Sequence, residues 1–178
     1  MLKREVFTIP NLLSLSRIGL IPVYVPLYLQ GAHLSAGILL ALSCLTDLAD
    51  GWVARRFHMV STFGKILDPL ADKATQLALM LCLSIRYQAL RWILGLFLAK
   101  EFFQLAGGLL CLSRGRPIPG TLPAGKVCTA LLFVTLTILF LFPVIPAGAV
   151  CILALLDAAA LAVSLIAYVT AFGSQGKH

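Results

Sequence analysis

The sequence predicts an all-α integral membrane protein with six transmembrane helices and both termini on the inner side (N-in, C-in). Three observations carry this. Hydrophobic residues make up 60% of the chain and charged ones 12%, with a mean hydropathy of +0.99, far from the balance of a water-soluble domain. Apolar runs recur six times in 178 residues, each close to the ~20 residues a membrane-crossing helix needs. The basic residues are also unevenly shared between alternate loops.

The runs fall near 12–30, 36–56, 64–85, 92–113, 126–144 and 148–172. The first follows Lys3, Arg4, Glu5 and Pro10 without a small-residue cleavage site, so it is expected to be retained. Residues 1–10 leave room for a short cytoplasmic surface element. Gln30-Gly31-Ala32-His33 separates the first two runs, and Phe57 to Thr62 the second and third. Arg86-Tyr87-Gln88 separates the third from the fourth. Ser113 to Ala124, with five Gly or Pro residues, precedes the fifth, and Pro143-Val144-Ile145-Pro146 the sixth. One such bundle accounts for the whole chain, so a single domain over 1–178 is expected.

If the termini face the cytoplasm, the inner segments hold Lys3, Arg4, Arg55, Arg56, Lys65, Arg114, Arg116, Lys126 and Lys177, and the outer ones only Arg86 and Arg91. Nine against two is the positive-inside pattern. The net charge of +7 then suits an anionic lipid surface. Nucleic acid is a poor partner for charges spread over short membrane loops. Five scattered cysteines without metal-ligand spacing read as packing residues.

The acidic residues are the exception to this apolar background. Four of the seven, Asp47, Asp50, Asp68 and Asp72, lie within 26 residues. A charge at mid-membrane costs roughly 3 kcal/mol or more, so four together need a counter-charge. Asp47 and Asp50 share one helix face, as do Asp68 and Asp72. Counted from the intervening inner turn at 1.5 Å per residue, Asp47 and Asp72 both lie ~12 Å deep and Asp50 and Asp68 ~6–8 Å deep. Packed antiparallel, the two helices form a square of carboxylates open to the cytoplasm. Oxygen ligands alone select hard ions, Mg²⁺ or Mn²⁺. Four carboxylates suit two ions, an arrangement that serves displacement at phosphorus. Gly51 and Ala54 offer a small-residue platform and Arg55 a fork for phosphate, which together make a diphosphate site. The bland reading, helix-end carboxylates satisfied by nearby lysines and arginines, suits any one of them better than all four at matched depth.

The spacing Asp47-x2-Asp50-Gly51-x2-Ala54-Arg55-x8-Gly64-x3-Asp68-x3-Asp72 resembles the signature of the CDP-alcohol phosphatidyltransferases at every position. Ile9-Pro10-Asn11-Leu12-Leu13-Ser14-Leu15-Ser16-Arg17-Ile18 and Phe63 to Lys73 are most similar to the bacterial phosphatidylglycerophosphate synthase branch. Lys100-Glu101 and Gly125-Lys126-x2-Thr129 resemble weaker features of it. The likeness covers about residues 8–130.

The resemblance implies a six-helix CDP-alcohol phosphotransferase fold, commonly a homodimer, with two Mg²⁺ or Mn²⁺ ions. It makes Asp47, Asp50 and Asp68 metal ligands, with Asp72 touching metal and acting as general base. Asp47, Asp50, Gly51, Ala54 and Arg55 would hold the CDP moiety. The implied reaction moves phosphatidyl from CDP-diacylglycerol to glycerol 3-phosphate in a bacterial cytoplasmic membrane, with the site facing the cytoplasm. Other acceptors remain open: phosphatidylglycerol, inositol phosphate, serine or an amino-alcohol. A divalent-metal transporter is a remote alternative, since the acids form one unduplicated set.

For the acceptor phosphate, the candidates are Arg114, Arg116 and Lys126, then Arg17 and Lys65. Arg17 reads equally as a phosphate contact or a buried counter-ion. Lys73 reads as neutralising a carboxylate, and Lys100 with Glu101 as a structural ion network. Asp157 reads as bonded locally or to Lys100.

Overall fold

The computed structural model describes residues 9–56, 64–113 and 122–174; within these, the side chains of residues 9–10, 48–56, 65–66, 112 and 173–174 lie outside the description. All six expected helices are present: α1 (Ile9–Leu29), α2 (His33–Arg56), α3 (Gly64–Arg86), α4 (Gln88–Ser113), α5 (Pro123–Leu141) and α6 (Ala147–Ser174). Among the described residues α1, α4, α5 and α6 are long and apolar enough to cross a membrane. Helix α2 qualifies only as the shorter apolar stretch His33–Asp47. Helix α3 carries Asp68, Asp72, Lys73 and Arg86, which lower the hydropathy of an otherwise apolar segment, whereas the His33–Asp47 stretch of α2 extends to the last of its described side chains.

The chain divides into two compact units, Met1–Cys82 and Leu83–His178. In the first, α1 packs along α2. The turn between them is a Schellman motif. Gly31 takes φ +86°, its N–H donates to Tyr28 O at 3.1 Å, and Ala32 N–H donates to Leu27 O at 2.9 Å. A left-handed residue is needed there, and glycine adopts it without steric cost. Pro22 and Pro26 lie inside α1 and Pro69 inside α3, each removing one helical N–H donor. The core stripe of α2 is Ala36, Leu40 and Ser43; that of α3 is Leu67, Ala71, Thr75, Ala78 and Cys82. Both follow the helical repeat of three and four.

The buried face of α1 is polar near its start, with Asn11, Ser14 and Arg17, while Leu12, Leu15, Val23 and Leu29 point outward. In water that arrangement would leave the better hydrophobes exposed and charge buried. In lipid it is the expected one, because apolar side chains face the tails and polar ones face protein.

In the second unit α6 lies against both α4 and α5. Its inward face repeats without a break: Val150, Ala154, Asp157, Leu161, Ser164 and Tyr168. Opposite are Leu90, Ile93, Phe97 and Lys100 on α4, and Cys128, Leu132, Thr135, Leu136 and Leu139 on α5. Small residues permit the close approach. A Cβ on Gly125 would stand 2.9 Å from the Tyr168 hydroxyl, and one on Gly107 2.7 Å from the Phe172 ring. Ile152, Leu155, Leu156, Val163 and Ile166 cover the outward face of α6. An apolar surface of that extent marks a lipid-facing helix, and the protein is a membrane protein.

The break between α3 and α4 is a single residue, Tyr87, so α4 begins at Gln88 rather than near residue 92. Polar side chains absorb the turn. The Arg91 Nε–H donates to Ser84 O at 3.0 Å, and Arg86 Nη2 and the Tyr87 hydroxyl both donate to Pro143 O, at 3.0 and 3.3 Å.

Candidate functional site

Three helices of the first unit converge on one side chain. Arg17 extends from α1 with its side chain 4% exposed, while the side chains of Asp47, Asp68 and Asp72 are 43%, 50% and 53% exposed. The guanidinium therefore lies beneath the carboxylates and the carboxylates open outward. Arg17 Nη1 pairs with Oδ1 of Asp47 on α2 and donates to Oδ1 of Asp72 on α3 at 2.7 Å. Nη2 donates to Oδ1 of Asp68 at 2.5 Å. Ser14, one turn earlier on α1, donates its hydroxyl to the same Asp68 oxygen at 3.3 Å. A guanidinium carries several N–H donors in a rigid fork, so one arginine can tie together acids from two helices. A single guanidinium thus meets three carboxylates.

Asp50, Gly51, Ala54, Arg55 and Lys65 fall on helical backbone whose side chains lie outside the described residues. Arg114 and Arg116 also lie outside them. Lys126 is exposed in the first turn of α5, and Lys73 is exposed on α3. Arg17 is buried against the acid cluster as its counter-ion in this arrangement, one of the two readings open to it from the sequence. Sequence spacing gave its depth along α1, but the direction of its side chain depends on the contacts with α2 and α3.

The residues present fit a hard divalent ion in their chemistry. Three oxygens from separate carboxylates converge, with no thiol or imidazole among them, a donor set of the kind Mg²⁺ and Mn²⁺ prefer. Among the described residues no three acidic, His or Cys side chains surround a common ion-sized point; the point of convergence is taken by the guanidinium.

A different kind of polar group lies in the second unit. Asp157, on a residue 1% exposed, accepts a hydrogen bond at Oδ1 from the Thr135 hydroxyl at 3.3 Å. Lys100 is buried and donates to Glu101 Oε1 at 2.7 Å. Asp157 is thus bonded across helices to a neutral hydroxyl, and the lysine pairs with its own sequence neighbour. The Gly125-Lys126-x2-Thr129 pattern also resolves into local structure: Thr129 Oγ1 donates to Gly125 O at 2.9 Å, and Gly125 seats Tyr168.

The fold and site define a class, that of helical membrane proteins with a half-exposed carboxylate cluster held by a buried arginine. The chain belongs to the CDP-alcohol phosphatidyltransferase family, whose model matches residues 7–172. It is similar to a CDP-diacylglycerol–glycerol-3-phosphate 3-phosphatidyltransferase of Bacillus subtilis, 31% identical over 138 residues, covering 69% of this chain and 71% of that protein. The protein of the same name from Aquifex aeolicus is 36% identical over 133 residues, 74% of this chain and 73% of its own. A cardiolipin synthase (CMP-forming)/mitochondrial hydrolase fusion protein of Schizosaccharomyces pombe is 32% identical over 120 residues, 67% of this chain and 20% of that protein. The chain thus spans a fifth of the yeast fusion protein and about seven tenths of each bacterial relative.

Proposed function

We propose that the protein is a membrane phosphatidyltransferase that moves the phosphatidyl group of CDP-diacylglycerol to glycerol 3-phosphate, giving phosphatidylglycerol phosphate and CMP. The observation that carries this is the half-open carboxylate cluster of Asp47, Asp68 and Asp72, set in the family's signature. The names of the Bacillus and Aquifex relatives support the choice of acceptor; that of the yeast relative supports phosphatidylglycerol as the alternative.

In this reading Asp47, Asp50, Asp68 and Asp72 hold two Mg²⁺ or Mn²⁺ ions, which when bound offset the charge that gathers on the diphosphate. Gly51 and Ala54 let the CDP diphosphate approach the α2 backbone, and Arg55 binds one of its oxygens bidentately. Asp72 accepts the proton of the acceptor hydroxyl. The acceptor oxygen bonds to the phosphatidyl phosphorus, the phosphoanhydride bond breaks, and CMP leaves with the electron pair. A carboxylate held hard by metal is a weak base, so Asp72 is the least tightly ligated of the four. Arg114, Arg116 and Lys126, with Lys65, are the residues for the acceptor phosphate.

The working unit is a homodimer in a bacterial cytoplasmic membrane, N-in and C-in, with the site on the cytoplasmic face. The nine-to-two distribution of basic residues supports that orientation. In a background free of native cysteines, Ser61→Cys and Gly120→Cys should label from the cytoplasm and Ala32→Cys and Pro146→Cys from outside. The reverse pattern would put the acids on the wrong face for a CDP-linked substrate. The direct test is CMP release by purified protein given CDP-diacylglycerol and a panel of acceptors. Release with glycerol 3-phosphate is expected. Release only with phosphatidylglycerol, inositol phosphate or serine would keep the chemistry and overturn the acceptor.

A further inference from the structure

Arg17 and a divalent ion make incompatible demands on the same oxygens. One guanidinium nitrogen, Nη1, touches Oδ1 of both Asp47 and Asp72, and the other holds Asp68 at 2.5 Å. Mg²⁺ needs its oxygens at about 2.0–2.1 Å, closer than the 2.7 Å at which Nη1 meets Asp72. A nitrogen and an ion cannot both lie between the Asp47 and Asp72 oxygens, and their like charges repel in a site of reduced dielectric. The arginine is nevertheless built in. It is buried on the same face of α1 as Asn11 and Ser14, and Ser14 bonds the Asp68 oxygen that Arg17 also holds.

We propose that Arg17 is an exchangeable counter-ion: it ties the aspartates of α2 and α3 to α1 and is displaced from their oxygens when divalent ions bind. This rests on the reading of the aspartates as metal ligands. Arg17 is a positioning residue here, acting through the carboxylates. Its presence prevents three like charges from repelling one another apart, and it sets the affinity for metal by competing for the ligand atoms.

The consequence is opposite in sign to that of a merely structural arginine, whose loss would disorder the ligands and weaken metal binding. The test measures Mn²⁺ affinity by electron paramagnetic resonance of unbound Mn²⁺, and the melting temperature in EDTA, on purified wild type, Arg17→Gln and Arg17→Lys. Arg17→Gln should melt lower in EDTA and bind Mn²⁺ roughly ten- to a hundredfold more tightly, the worth of about one charge-assisted hydrogen bond. Arg17→Lys keeps the charge but loses the fork and should fall between it and wild type. Equal or weaker Mn²⁺ binding in the variants would overturn the exchange while leaving the metal reading intact. If Arg17→Gln does not fold, the Arg17→Lys affinity decides by the same criterion. A wild-type protein that binds no Mn²⁺ overturns the metal reading and the exchange together.

Discussion

The two units bury charge in contrasting ways. In Met1–Cys82 a buried arginine lies under three carboxylates that are each about half exposed. In Leu83–His178 the aspartate is sealed and bonded to a threonine, and the lysine is paired with the next residue. The sealed carboxylate gives α5 and α6 a polar contact in an apolar interface through Oδ1, while its Oδ2 is buried without a hydrogen-bond partner among the described residues. A carboxylate that keeps about half its surface in the open can be reached from outside the protein. The acids of the two units are therefore distinguished by access rather than by mere presence.

The largest effect that would sharpen this contrast is on turnover. Asp47→Asn or Asp68→Asn should lower CMP release by roughly 10²-fold or more, the scale on which removal of one stabilising group acts, and should weaken Mn²⁺ binding. Asp72→Asn should lose rate comparably while keeping substantial Mn²⁺ and CDP-diacylglycerol binding if its distinct task is the proposed one of taking a proton. Equal loss of binding in all three variants would leave Asp72 without its separate role. Chelation probes the same centre without mutation. EDTA should abolish turnover, and Mg²⁺ or Mn²⁺ should restore it; full turnover in chelator would contradict the metal reading.

A smaller effect is expected at the acceptor pocket. Replacement of Arg114, Arg116 or Lys126 by Ala should raise the KM for glycerol 3-phosphate about ten- to a hundredfold in at least one case. The KM for CDP-diacylglycerol should change little. If all three keep wild-type acceptor kinetics, the pocket lies elsewhere and Lys65 is next in line. The smallest effect belongs to the second unit's packing. Gly125→Ala places a methyl 2.9 Å from the Tyr168 hydroxyl and should destabilise by about 1–3 kcal/mol. This would appear as a lower melting temperature with unchanged KM values, and a changed acceptor KM would give Gly125 a part in binding.

The helices were legible in the sequence because hydropathy alone marks lipid-crossing segments, and all six begin within four residues of the apolar runs. The start of α4 was harder to read. Gln88 and Arg91 look like loop residues by polarity, and the bond from Arg91 to Ser84 O shows where one of these polar side chains is satisfied within the helix pair. The approach of Asp47 to Asp68 and Asp72 was legible from spacing, since helical periodicity fixes which face each occupies, whereas the side chain of Asp50 lies outside the described residues. Arg17 was legible as a buried charge at the right depth but not as the hub, because its partners lie more than 29 residues away in sequence. The same limit applies to Asp157: nothing local distinguishes Thr135 from Lys100 as its partner, and packing of α5 on α6 decides it.

The measurement that tests the account most directly is CMP release by Asp68→Asn and Asp157→Asn, side by side, in membranes containing equal amounts of folded protein. The substitutions are chemically identical and differ only in which kind of buried acid they neutralise. Asp68→Asn should lose nearly all turnover. Asp157→Asn keeps an oxygen for the Thr135 hydroxyl and should stay within about threefold of wild type, the spread of substitutions that leave a hydrogen bond in place. Substantial turnover in Asp68→Asn, or a loss in Asp157→Asn as deep as at the cluster, would contradict the placement of the chemistry in the first unit.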